Sequence, residues 1–177
     1  MSKTRVPGVN AAGMQPVWVI QKADVTTPIT ADTQTFSLPL LQAGVKVDCY
    51  MDFGDFTIDR TANTTTRQRM CQKVAEEIVI GHTIAGTMTV VHDRQAADTE
   101  VVNLAYEALP EGGEVVIAVA HGWDQDDDPT AETVVDLWVV TVAMLKHLIA
   151  TSPDADIKAE ATLNGSVYAP NVVLSAV

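Results

Sequence analysis

Few side chains in this sequence could do chemistry, and the densest group is DQDDDPTAE, residues 124–132. Asp124, Asp126 and Asp128 repeat at the spacing with which an EF-hand loop turns oxygen ligands onto calcium, a hard cation. The rest of that pattern is missing. Pro129 stands where glycine makes the sharp turn, and Val135 stands where a bidentate glutamate closes the site. The stretch reads as a solvated loop between two strands. His82, His92, His121 and His147 lack the short helical spacing of a metal motif and fall mostly in apparent strands, where an isolated histidine is far more often structural than ligating. Cys49 and Cys71 make neither a disulfide framework nor a zinc cluster, and read as free thiols in a reducing compartment. No G-x-S-x-G elbow, Gly-rich phosphate loop or H-E-x-x-H run occurs, and neighbours such as His92 and Asp93 alternate to opposite faces of a strand. The expectation is no enzyme, with no catalytic, cofactor-binding or metal-binding residues.

The frame that would have to position such groups is a single domain. A chain of 177 residues, 47% hydrophobic, is long enough for one real core. Eleven basic against 23 acidic residues give a net charge of −12, which opposes a grip on phosphates and suits a surface past which DNA slides without sticking. No run of about 18 uncharged apolar residues occurs, and the first residues lack the apolar centre of a signal peptide. No membrane binding is expected, and the chain is expected to be made in the cytoplasm and to stay there initially.

Residues 98–123, DTEVVNLAYEALPEGGEVVIAVAHGW, organise the rest. Val101, Leu104, Ala105 and Ala108 recur at helical spacing, with Asp98 or Thr99 as the N-cap and with Asn103 and Glu107 turned to water. Pro110 ends this helix near Ala108, and Gly112 and Gly113 let the chain reverse. Val115, Ile117 and Val119 then point one way and Val116, Ala118 and Ala120 the other, which predicts a central strand covered on both faces.

Around this unit, residues 1–15 read as an arm ordered only by contact with something else. Residues 17–21 read as a strand around Trp18, and 22–44 as an extended, loop-rich stretch with Pro28, Pro39 and a short strand near Phe36. Residues 45–51 alternate as a half-buried strand. Residues 52–70 form a long loop or hairpin that concentrates Arg60, Arg67 and Arg69, candidates for contact with an acidic patch on another copy. Strands follow at 84–92 and 133–143, the latter continuing or bending through 149. Residues 157–163 and 167–174 read as two strands joined at Asn164 and Gly165, a hairpin signal. Seven or eight strands and one short helix make a mainly β fold, a β-sandwich or open barrel rather than βαβ units.

The order of these features resembles the major tail tube proteins of long-tailed bacteriophages. An N-terminal arm leads to a segment ending TTTRQRMC, a strand enters VVHDRQAADTEVVNLAYEALPEGGEVVIAVAHG, and the strand DLWVVTVAML precedes the closing hairpin. The resemblance spans most of the chain and is strongest over residues 64–177. It implies a tail-tube-type sandwich or open barrel flanked by a helix, assembled as hexameric rings whose inner strands join into one barrel. Rings would stack into the channel that delivers viral DNA, so the protein would be a structural virion protein, built in the host cytoplasm and resident in the tail. Its partners would be further copies of itself, the tape measure, tail tip and terminator proteins, and DNA in transit. The extra immunoglobulin-like domain of some members is not expected. The inner tube of a bacterial contractile injection system is the nearest alternative, and a ligand-binding β-barrel a more distant one. On the tube reading, Asp136 and Glu160, each on a strand among apolar neighbours, are the candidates to line an acidic lumen.

Overall fold

The computed structural model describes residues 15–71, 73–150, 152 and 155–176, so all of the expected arm but Gln15 lies outside the described residues. The fold is set by a strand with no polar face. In β6 (Glu114–Ala120) every residue after the first is buried. Its odd residues join one apolar cluster and its even residues another, as the alternation predicts. Strand β1 (Val17–Gln21) pairs antiparallel with one side of β6 and β7 (Val134–His147) with the other. The ladder continues from β7 to β8 (Lys158–Ser175), β5 (Glu76–Val91) and β4 (Phe56–Arg67). The two-residue β3 (Val45–Lys46) closes the β1 edge, and β2 (Thr35–Ser37) runs parallel to the end of β8.

This one open sheet, in the order β3-β1-β6-β7-β8-β5-β4, is rolled. Val17 and Val19 of β1 share a core with Phe56 and Ile58 of β4, although these strands lie near opposite ends of the sheet. Met88, Trp138, Leu163 and Leu109 fill the space between. On the outside of the β1-β6-β7 wall, Ile29, Phe36 and Leu41 form the second cluster with Ala118, Leu137 and Val139. Leu41 belongs to α1 (Leu38–Ala43), a helix that the prolines of this stretch argued against. Pro39 falls in the first turn, where its missing N–H has no helical partner to lose.

The organising helix is shorter than expected, and its inward face is different. A 3-10 turn at Val101–Asn103 leads into α2 (Leu104–Glu107). Val101 is 69% exposed and Leu104 39%, while Asn103 is 1% exposed. A 3-10 start advances three residues per turn instead of 3.6, so the inward face shifts to Ala105, Ala108 and Leu109. Asn103 turns inward because its amide closes the preceding loop. It accepts from the Asp93 N–H at 2.9 Å and donates to the carbonyls of Asp93 and Ala97 at 2.9 and 3.2 Å. Neither Asp98 nor Thr99 caps the helix.

Two further expectations are corrected. Residues 45–51 are not a strand: pairing stops after Lys46, and the chain coils through a 3-10 turn at Asp48–Tyr50. Nor is there a hairpin at Asn164 and Gly165, since β8 runs unbroken through both. Gly165 pairs with Ile84 and Val140, and Ser166 bulges between the pairs Val139–Val167 and Val140–Gly165. A Cβ at Gly165 would lie 2.2 Å from Ile84 Cγ2. The glycine thus serves close strand approach, not a turn.

Candidate functional site

Strand β5 pairs with β8 only from Ile84 to Val91, and beyond that point β4 and β5 pair only with each other. Residues 60–67 and 76–83 therefore form a ribbon that leaves the body of the sheet. Thr64 Oγ1 donates to Glu77 Oε1 at 2.6 Å and Asn63 Nδ2 to Thr83 Oγ1 at 2.9 Å, but the ribbon buries little. Met70, Val74, Val79 and Ile80 are 108%, 78%, 55% and 68% exposed. An isolated two-stranded hairpin is marginal in water, and exposed apolar groups on one mark a contact surface. All three arginine candidates lie along it. Arg60 pairs with Ile84 at its base, Arg67 with Glu76 at its end, and Arg69 follows in the turn.

The sheet β4-β5-β8-β7 has one apolar and one polar face. Phe56, Met88 and Ala161 stand in one row facing the core, and Thr57, Thr87 and Thr162 form the adjacent row on the other side, which ends at the exposed Met144 of β7. The hydroxyls of Thr57 and Thr87 are 3.1 Å apart. Asp59, Ala85 and Asn164 make the next row, and Thr89, Glu160 and Lys146 a third. Both outer edges of these four strands are open among the described residues. Strand β4 has no neighbour beyond it, and β7 loses β6 after Thr141, apart from bonds of Val142 with Gly112 and Gly113.

The structure does not bring the two acidic candidates together. Glu160 is on the polar face, in an ion pair with Lys146 Nζ at 2.5 Å. Asp136 is on the core-facing side with Trp138 and Val140, near the rim. Its carboxylate accepts from Tyr168 Oη at 3.0 Å and from the Asn171 N–H at 2.9 Å, with His121 Nε2 at 3.5 Å. Burial first, then this bond, pushes the Tyr168 hydroxyl above its ordinary pKa. The Asn171 N–H bond suits a residue held at φ 54° beside Pro170. Asp136 thus ties β7 to the part of β8, around Pro170 and Asn171, where the register between the two strands shifts.

Linear distance hid one cluster. His92, just after β5, and His147, at the end of β7, bring their Nδ1 atoms within 3.3 Å, and Tyr106 of α2 stacks on His92 at 3.7 Å between ring centroids. Two histidines separated by 55 residues carry no local signal; only the β5-β8-β7 pairing unites them. Burial, then the nearby His147 and Arg94, lowers the His92 pKa below its ordinary 6.5, against the pull of Asp93 and Asp98. The unfolded chain therefore takes up a proton that the folded one resists. Stability should be full above about pH 6.5 and drain as pH falls through and below that value. Thermal melts across this range check it: the parent should lose melting temperature on acidification more steeply than His92→Gln.

In the acidic loop, Asp124 Oδ1 accepts from the Asp126 N–H at 3.0 Å, a local turn bond. Among the described residues, no three His, Cys, Asp or Glu side chains gather as a metal would need. Cys49 and Cys71 are free and exposed. The surface offers open strand edges, a polar sheet face and a projecting ribbon, features through which copies of a chain can join.

Comparison with known families agrees. The family model described as phage tail tube protein matches residues 4–173 of the 177. The chain belongs to that family. No curated protein matches it. As a tail tube protein it is a structural component of the virion tail that assembles with itself and with other tail components. The mainly β fold, with its open antiparallel sheet, is the one expected from the sequence.

Proposed function

We propose that this tail tube subunit forms hexameric rings that stack around a channel for viral DNA delivery, with the sheet β4-β5-β8-β7 turned to the channel. The observation that carries the proposal is a four-stranded sheet with a packed core on one face, a polar face on the other, and two open edges. The β4 edge of one copy and residues 143–147 of the next can continue a single ladder. Closing that ladder around a ring removes both of these open edges, which would otherwise be free to aggregate.

The chemistry of the polar face suits passage. Duplex DNA carries about one charge per 1.7 Å of axis, and clustered lysines would hold it by counterion release. Here the rows present threonine hydroxyls and Asn164, Lys146 is tied to Glu160, and Asp59 adds a carboxylate. Glu160 keeps its place in the lumen proposal. Asp136 leaves it, because its side chain is bound on the opposite side of the sheet. Arg60, Arg67 and Arg69 act between subunits, from the ribbon. Assembly takes place in the host cytoplasm, with tape measure, tail tip and terminator proteins as the further partners.

A thiol at Thr162 reports which way the face points. In a Cys49→Ser, Cys71→Ser background, the Thr162→Cys subunit should react with a maleimide on a bulky polymer while monomeric, and be protected in tubes. Equal reaction in both states would place the face outside.

A further inference from the structure

An open cavity of about 280 Å3 lies between α1, β1 and α2. Its walls are apolar at Leu40, Ala43, Val45 and Leu104, and its rim is acidic at Asp24 and Glu107. Leu104, which the 3-10 turn rotates out of the core, forms part of this wall with 39% of its surface exposed. The far end of the ribbon of β4 and β5 is also exposed and apolar, but its charge leans basic, despite Glu76 and Glu77 on the strand that leaves the turn. Its turn carries exposed Met70 and Val74, with Arg67, Arg69 and Lys73 alongside.

We propose that the ribbon tip of a second copy docks in this groove, with Met70 or Val74 filling the apolar floor and Arg67 and Lys73 facing Glu107 and Asp24. The proposal rests on the reading of the chain as a self-assembling tube subunit, and names the surface where neighbouring copies meet away from the strand edges. Three observations carry it. The cavity has room for one or two aliphatic side chains, which is what the tip offers. The charges are complementary on balance: in a chain of net charge −12, where basic residues are scarce, this end of the ribbon gathers three of them against Glu76 and Glu77. Ribbon and groove are also different patches of one subunit. Each copy can therefore give one and receive one, and such a head-to-tail contact can link copies around a ring or along a polymer. The charged rim sets register and encounter rate, and salt should weaken it.

Cys71 sits exposed in the ribbon turn and serves as a natural probe. In a Cys49→Ser background, Ala43→Cys places a second thiol on the groove wall. A disulfide needs Cα atoms about 4.4–6.8 Å apart, so mild oxidation of polymer should give a ladder of linked subunits on a non-reducing gel, and unpolymerised protein should give none. Normal polymers without a ladder would overturn the groove and leave the tube reading standing. A protein that never polymerises would overturn both. Linked pairs that never extend to trimers would mean reciprocal exchange in a dimer, which also contradicts the proposal. A charge swap supplies an independent arm: Glu107→Lys should suppress polymer at low salt and Lys73→Glu should restore it in the double variant. A double variant no better than the single would remove that pairing.

Discussion

Replacing Leu109 with alanine is expected to cost about 2–5 kcal/mol of folding stability, the range for removing a fully buried leucine and leaving a cavity. Leu109 is 0% exposed and packs in the rolled core with Val115, Ile117 and Val140. Leu104, five residues earlier, is 39% exposed, so Leu104→Ala should cost far less than the same chemical change at Leu109. A domain holds only about 5–15 kcal/mol in total, so the Leu109 variant should melt well below the parent, or fail to accumulate. Denaturant melts of the two variants decide it. Equal losses would mean that the α2 segment packs with its other face inward.

The second large effect is on assembly. Ala62 and His82 are paired across the ribbon, so joining them through a two-residue Asn-Gly turn removes residues 63–81 without disturbing the pairs below. That segment has no part in either apolar cluster. The shortened subunit should fold with stability within about 0.5 kcal/mol of the parent, as surface changes usually do, and should not polymerise. Sedimentation and thermal melts separate the two outcomes. A shortened subunit that forms normal tubes would show the ribbon to be dispensable; one that fails to fold would show it to be part of the domain.

Much of the fold was legible because single strands carry their own pattern. β6 reads as buried on both faces from EVVIAVA alone, and β1 and β7 announce themselves by dense apolar residues around Trp18 and Trp138. What was not legible depended on context. Asn164 and Gly165 look like a turn, yet they continue a strand, because both are paired with β5 on one side and β7 on the other, and the glycine is there because Ile84 leaves no room for a Cβ. Val101 looks like a core residue until the 3-10 turn rotates it outward and Asn103 inward.

The candidate site divides in the same way. Arg60, Arg67 and Arg69 share the ribbon because they are close in sequence, the first two on β4 and the third in the turn that follows. Asp136 and Glu160 each alternate correctly within their own strands, but alternation gives sides of a strand and not a common face across a rolled sheet with bulges. The pairing of His92 with His147 was beyond any local reading, since it needs the order β5-β8-β7.

Electron microscopy of the purified subunit, concentrated until it polymerises, tests the central claim most directly. Stacked rings should appear from the side, and end-on averages should have six-fold symmetry around an open channel with the β4-β5-β8-β7 sheet at its wall. Discrete monomers or dimers at every concentration, or polymers with this sheet on the outer surface, would contradict it.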